Sequence, residues 1–514
     1  MSRKLSHSLI PALLFLGLYS CTMNTDKQSI GIFRGSSDIG PVVNSGKAKY
    51  NPETDIYTLS GSGTNMWFNN DEFHFLWRKM TGNIILTSQV VFMGTGTEPH
   101  RKAGLIVRKT LDPGSPYISA AYHGGGLIAM QYRTEKDSAT SEFRAAEDSL
   151  SVLQLIIHGD TVIMQATSKG NVLQEIGRLI VDYVGEKEYY IGLFVCSHNP
   201  NVIEEAQFYN TRLTIPAKDD FKPYTDYIGS RLEVLDVETG SRKIMFESDL
   251  PIEAPNWSRD GEFFIVNAGG IIYRIPADGG QIERINTGFA TSNNNDHGLS
   301  PDGTKLVISH HDPDRPNGEN SIICTLPVEG GIPEQITPNS PSYWHGWSPD
   351  GNFLIYTAKR NSEWNIYRIP LSGGEEIQLT RSVALDDGSE FSPDGKYIWF
   401  NSNRTGTMEI WKMKQDGSEQ VQITNDVYQN WFAHESPNGD KLIFLSYLPD
   451  VELWDHPYYK HVMLRMFDLK DGMPVGKPRV LAWLYGGQGT INVHSWSPDG
   501  TKLAFVSNSE MINY

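Results

Sequence analysis

Short runs of alternating apolar and polar residues dominate the second half of the chain. Arg231-Leu232-Glu233-Val234-Leu235-Asp236-Val237 and Lys396-Tyr397-Ile398-Trp399-Phe400 are two of them, each bounded by turn residues. Alternation of period two marks half-buried strands, whose side chains point to opposite faces in turn. Between the runs one turn recurs in six copies: Ser258-Arg259-Asp260-Gly261, Ser300-Pro301-Asp302-Gly303, Ser348-Pro349-Asp350-Gly351, Ser392-Pro393-Asp394-Gly395, Ser436-Pro437-Asn438-Gly439 and Ser497-Pro498-Asp499-Gly500. Pro presets the backbone of such a turn and Asp-Gly completes it, so each copy predicts a corner between two strands. The copies lie 42, 48, 44, 44 and 61 residues apart. A period in the forties holds four strands, which is a propeller blade. After Ser497 only 17 residues remain, enough for one strand. The missing outer strands are Arg231 to Val237 and Arg242-Lys243-Ile244-Met245-Phe246, around the turn Glu238-Thr239-Gly240. The expectation is six blades, the last built from both ends of the repeat region.

Residues 30–216 lack that repeat but keep the alternation. Ile84-Ile85-Leu86-Thr87-Ser88-Gln89-Val90-Val91-Phe92 and Val152-Leu153-Gln154-Leu155-Ile156-Ile157 read as strands between glycine turns, which predicts a β-sandwich. The fold class expected is therefore all-β: an N-terminal sandwich over 30–216, a linker from Ile215 to Tyr227 containing Pro216 and Pro223, and a six-bladed propeller over 225–514.

Charge and cysteine content narrow the partners. With 44 Lys+Arg against 61 Asp+Glu the net charge is −17, which disfavours general nucleic-acid binding. Cys21, Cys196 and Cys324 are too few for a disulfide framework and lack the spacing of a structural zinc site. The N-terminus joins basic Arg3 and Lys4 to an apolar run from Leu9 to Leu18, too short to span a bilayer, followed by Tyr19-Ser20-Cys21. This ending resembles a bacterial lipoprotein signal over residues 1–21. The resemblance implies lipidation of Cys21, attachment to the outer membrane through the lipid alone, and work outside the cytoplasm. Tyr19 departs from the usual pattern; the alternative is ordinary cleavage near Ser20. No helix-rich region offers an oligomerisation module, so a monomer is expected.

The six corners and their strands resemble the repeats of TolB-like propellers over roughly residues 225 to 514. The stretch Asp71-Glu72-Phe73-His74-Phe75-Leu76-Trp77-Arg78, then Lys102-Ala103-Gly104-Leu105-Ile106-Val107-Arg108, ending Met130-Gln131-Tyr132-Arg133, resembles concanavalin-A-like jelly rolls. Such domains accompany carbohydrate-active modules, either binding sugar or only orienting a partner domain.

Propeller geometry says where chemistry belongs. The loop into each inner strand and the loop between second and third strands share one face, opposite the corners. His297, His345 and His494 each stand three residues before their corner serine, and His434 stands two before. Equivalent positions converge on one axis, so these four would ring the channel as catalytic acid and base. His297, His345, His494 and Asp387, with Asp296, Asp386 and Glu390 nearby, would suit a divalent metal (manganese, zinc or calcium). Lys359, Arg360 and Arg404 would bind an anionic ligand, and Tyr343, Trp344 and Trp431 would stack on sugar rings. Otherwise the histidines are channel-lining polar residues, and each base pairs with a neighbouring acid such as Glu363 or Glu409.

The histidine-bearing channel resembles that of oligogalacturonate lyases, although their seven blades and their His-x-His pair have no match here. The resemblance implies β-elimination on an anionic, uronate-containing oligosaccharide by a lyase or dehydratase, giving a 4,5-unsaturated uronate. Two rival expectations stand beside it. One is a non-catalytic carbohydrate- or protein-binding envelope propeller; the other is a hydrolase using Asp387 and Glu390.

Overall fold

The computed structural model describes residues 30–222 and 225–512. The signal segment, Cys21 and Pro223 lie outside the described residues. Among these residues there is no helix, and none that could cross a membrane. The all-β expectation holds throughout.

Two seven-stranded sheets make the N-terminal sandwich. One runs Gly35–Ile39, Phe73–Gly82, Gly185–Cys196, Lys102–Arg108, Tyr117–His123, Ile128–Arg133, Ser141–Arg144 across the sheet. The other runs Gln174–Ile180, Thr161–Thr167, Val152–His158, Ile84–Met93, Glu204–Thr214, Ile56–Gly61, Lys47–Asn51. Leu76, Leu105, Met130 and Leu193 of the first sheet meet Leu59, Leu86, Leu155 and Phe208 of the second in one core. The stretch that resembled a jelly roll contributes a buried ion triad. Asp71 takes Arg133 through both carboxylate oxygens at 2.8 Å and Arg108 at 2.7 Å, all three without solvent exposure. Carbonyls of Thr110, Asp112 and Ser138 take further guanidinium donors, so this triad is committed to holding loops together.

Five four-stranded sheets follow as blades 1 to 5, starting at Ile252–Trp257, Asn293–Leu299, Ser342–Trp347, Asp386–Phe391 and Gln429–Glu435. Blade 6 is the composite closure expected from the strand count. Its second strand, Lys502–Asn508, pairs with Ser230–Asp236, which pairs with Arg242–Ser248. The corners explain themselves chemically. Ser300 Oγ donates to Asp302 Oδ1 at 2.5 Å and accepts the Lys305 N–H at 2.9 Å, while Asp302 Oδ1 accepts the Thr304 N–H at 3.0 Å. The same bonds recur at Ser348, Ser392 and Ser497.

The two domains are joined by more than the linker. Arg212 of the sandwich bonds Asp55 at 2.5 Å and Glu233 of blade 6 at 2.9 Å, and Arg242 closes on Glu233 at 2.7 Å. Glu233 is fully buried, and its two guanidiniums hold its carboxyl far below the usual range although burial opposes this. Past the last strand, the Glu510 N–H donates to the Ile215 carbonyl at 2.9 Å and Ile512 enters the sandwich core.

Candidate functional site

The channel mouth opens on the face expected, opposite the corners, as a cavity of about 980 Å³. The innermost strands position its walls through bulges. In blades 1, 4 and 5 the residue four before the corner serine, Ala254, Gly388 and Phe432, has a positive φ of 52°, 60° and 53° and interrupts the register. In blade 3 the extra residue is His345 itself, and in blade 2 the shift spans Asn293 to His297. One added residue reverses which face every later side chain takes. Equal distance from the corner therefore does not mean equal direction.

The four histidines separate accordingly. His345 faces the cavity, its Nε2 2.9 Å from Asp387 Oδ1. Burial alone would lower its basicity, but Asp296 and Asp387 outweigh it and raise the imidazole above its usual range. Asp387, in turn, is drawn to about 2 by His345 and His456 against the effect of burial. Asp296, buried at the wall and taking an amide bond from Asn294 at 2.7 Å, is pushed up to about 6, chiefly by burial. Glu253, another wall residue, is pushed up to about 7 for the same reason. His456 stands edge-on over Trp431 and Phe432, with Nε2 4.0 Å from Asp387.

His434 and His494 meet elsewhere, around Glu390, which lies beyond Asp387 on the same strand towards the corner and does not line the cavity. His494 Nδ1 is 2.8 Å from Glu390 Oε1, and His434 Nδ1 is in close contact with Oε2. Burial would raise Glu390, yet the two imidazoles bring it down to about 2. These three residues are a group whose donor atoms all lie within 4.8 Å of one another. His297 joins neither cluster. It is fully buried with Nε2 3.3 Å from the Ile265 carbonyl of blade 1, and burial holds it at about 4. The expected metal set of His297, His345, His494 and Asp387 is thus divided among three places.

The expected anion and sugar contacts also need correction. Arg360 is spent on Glu376 at 2.5 Å, the Pro341 carbonyl at 2.8 Å and Ser342 Oγ at 2.9 Å. Arg404 Nη2 donates to both Asp386 oxygens, at 2.8 and 2.7 Å, and its Nη1 donates to Gln420 Oε1. Both arginines do pair with an acid, though not Glu363 or Glu409. Trp344 and Trp431 are buried core residues, and neither wall of the cavity includes them. Lys359 sits at the rim, 5.9 Å over the Trp364 ring. Tyr343 alone among the three expected aromatics lines the cavity.

Part of the wall escaped the sequence reading: Trp364 and Trp454 add aromatic surface, and Asn267 and Gln488 add amides. Asn295, Asn492, His456 and Tyr458 instead stand on strand entries and the enlarged fifth-blade loop, where channel geometry places wall residues. One signal was available: the 61-residue spacing before the last corner marks an insertion, and that insertion carries Trp454, His456 and Tyr458. Among the described residues lining the cavity none is Lys or Arg, whereas Glu253, Asp296 and Asp387 all are carboxylates.

A profile of the TolB beta propeller domain matches residues 335–449. An uncharacterized protein of Agrobacterium fabrum is 43% identical over 278 residues, covering 54% of this chain and 92% of that protein. The chain belongs to the TolB-like propeller family. A solved structure named as a TolB from Agrobacterium tumefaciens is similar at 42% identity and a TM-score of 0.52, covering 56% of this chain and all of the other. An oligogalacturonate lyase in complex with manganese is 14% identical with a TM-score of 0.34, covering 54% of this chain and 78% of that one, too distant to bear on chemistry.

Proposed function

We propose that this protein is a binding propeller of the cell envelope, held by a lipid on Cys21 outside the cytoplasm, whose channel mouth takes an uncharged oligosaccharide segment. The supporting observation is the wall itself: aromatic faces from Tyr343, Trp364 and Trp454, amides from four or more residues, and no Lys or Arg among the described lining. Aromatic rings cover the apolar faces of sugars, and amides and carboxylates meet hydroxyls. The three carboxylates and the committed Arg360 and Arg404 weigh against the anionic oligosaccharide expected from sequence. Trp364→Ala should weaken binding of neutral oligosaccharides about tenfold, the size of a lost aromatic contact of about 1.4 kcal/mol. Calorimetric titration of neutral and uronate-containing oligosaccharides measures it; preference for the uronates would refute the reading.

A second reading rests on His345. An imidazole held by Asp387 at a cavity wall is the arrangement of a general base, so β-elimination on uronates is worth assaying. New ultraviolet absorbance from a 4,5-unsaturated uronate, lost in His345→Ala, would favour it over binding alone.

A further inference from the structure

Beneath the cavity, Glu390 and His434 from the innermost strands of blades 4 and 5 and His494 from the segment leading into the closing blade converge without any role in the mouth. We propose that these three residues form a zinc site inside the channel, distinct from the cavity above it. Three observations support the assignment.

The donors have the right chemistry. Two imidazoles and one carboxylate suit a borderline cation such as zinc, whereas calcium and manganese favour sites built of oxygens. Three protein ligands leave a coordination place free, and His494 is the part-exposed member of the three.

The outer contacts are those that metal ligands need. His434 offers Nδ1 to the centre while its Nε2 donates to the Ile491 carbonyl at 2.5 Å, which sets the ring's orientation and tautomer. Its Nδ1 meets Glu390 Oε2, so a cation at the centre would take the Nδ1 lone pair and the Glu390 carboxylate together.

The backbone of each ligand is pinned from outside its own strand. Trp496 Nε1 donates to the His434 carbonyl at 3.0 Å, and Asn256 Nδ2 donates to the His494 carbonyl at 2.6 Å. Glu390 follows the Gly388 bulge, where a Cβ would stand 2.2 Å from Asn401 Oδ1, so the turn that aims this carboxylate requires glycine. Asn401 Oδ1 also accepts the Phe432 N–H at 3.1 Å, coupling that bulge to the one that aims His434.

The test uses the tag-free full chain, stripped with chelator and then titrated with zinc chloride under competition from a chromogenic zinc indicator. Cobalt chloride serves as a spectroscopic probe, since imidazole and carboxylate ligation of few-coordinate cobalt gives visible absorption. One equivalent of zinc is expected, with affinity falling at least about tenfold in His494→Ala and in Glu390→Gln. His158→Ala, a surface histidine of the sandwich, should bind as the wild type does. Circular dichroism of each variant establishes that it is folded, and His494→Ala, the more exposed position, is the variant less exposed to misfolding. Failure of wild-type protein to bind zinc, or binding by the two site variants as tight as the wild type's, would overturn the assignment. Neither result bears on the cavity, whose oligosaccharide titrations run on the chelator-stripped protein.

Discussion

Gly388→Ala offers the sharpest probe of how the channel is built. At φ 60° an alanine carries the left-handed penalty of about 1 kcal/mol. Its Cβ would also meet Asn401 Oδ1 at 2.2 Å, and Asn401 cannot withdraw without releasing the Phe432 N–H that it binds at 3.1 Å. Leaving a buried N–H unpaired costs about 1–3 kcal/mol, so the total is about 2–4 kcal/mol. Gly351→Ala separates the two contributions. Gly351 has φ 71° with nothing within 4 Å of a would-be Cβ, so only the backbone penalty applies. Urea unfolding followed by tryptophan fluorescence should rank wild type above Gly351→Ala by about 1 kcal/mol, and Gly351→Ala above Gly388→Ala by a further 1–3 kcal/mol. Zinc affinity should drop in Gly388→Ala only, because Glu390 and His434 both lie just past the coupled bulges. Equal stability of the two variants would refute the argument that Asn401 links blades 4 and 5.

Arg404→Ala should cost about 3 kcal/mol by stranding buried Asp386, measured as a lowered urea midpoint, while leaving oligosaccharide affinity unchanged; a ligand-binding Arg404 would show the reverse. Asp296 binds its proton better folded, at about 6, than unfolded, near 3.8. Its contribution is therefore present in full below pH 4 and lost as pH rises through 6, about two units or roughly 3 kcal/mol. Asp296→Asn should remove that decline when stability is followed from pH 4.5 to 7.5. Asp302 and Asp394 have the opposite sign: hydrogen bonds from Ser300 and Thr304 hold Asp302 at about 2, and Asp394, opposed by burial, is brought to about 2 by Lys396 and Ser392. Stability from these corners should fall as pH drops from about 4 towards 2, seen as acid unfolding that Asp302→Asn shifts.

The architecture was legible in the chain because it rests on local chemistry. Ser, Pro, Asp and Gly close each corner with bonds among residues at most five apart, and alternation assigns faces within one strand. Counting strands after Ser497 was enough to predict a blade shared between both ends, and Ser230–Asp236 does pair with Lys502–Asn508. Which side chains meet was not legible, because it depends on bulges and on partners across strands. His345 and His494 share a register in the sequence, yet one faces the cavity and the other binds Glu390. That Arg360 and Arg404 could pair with an acid was open in the sequence, but the partners it offered were Glu363 and Glu409, and only folding brings Glu376 and Asp386 to them. The mouth's cluster of Glu253, Asp296 and Asp387 draws one carboxylate from each of three blades, and burial there changes what those groups do. Turn geometry and strand period act over a few residues and are written in sequence; direction, desolvation and charge pairing act through space and were settled by the tertiary fold.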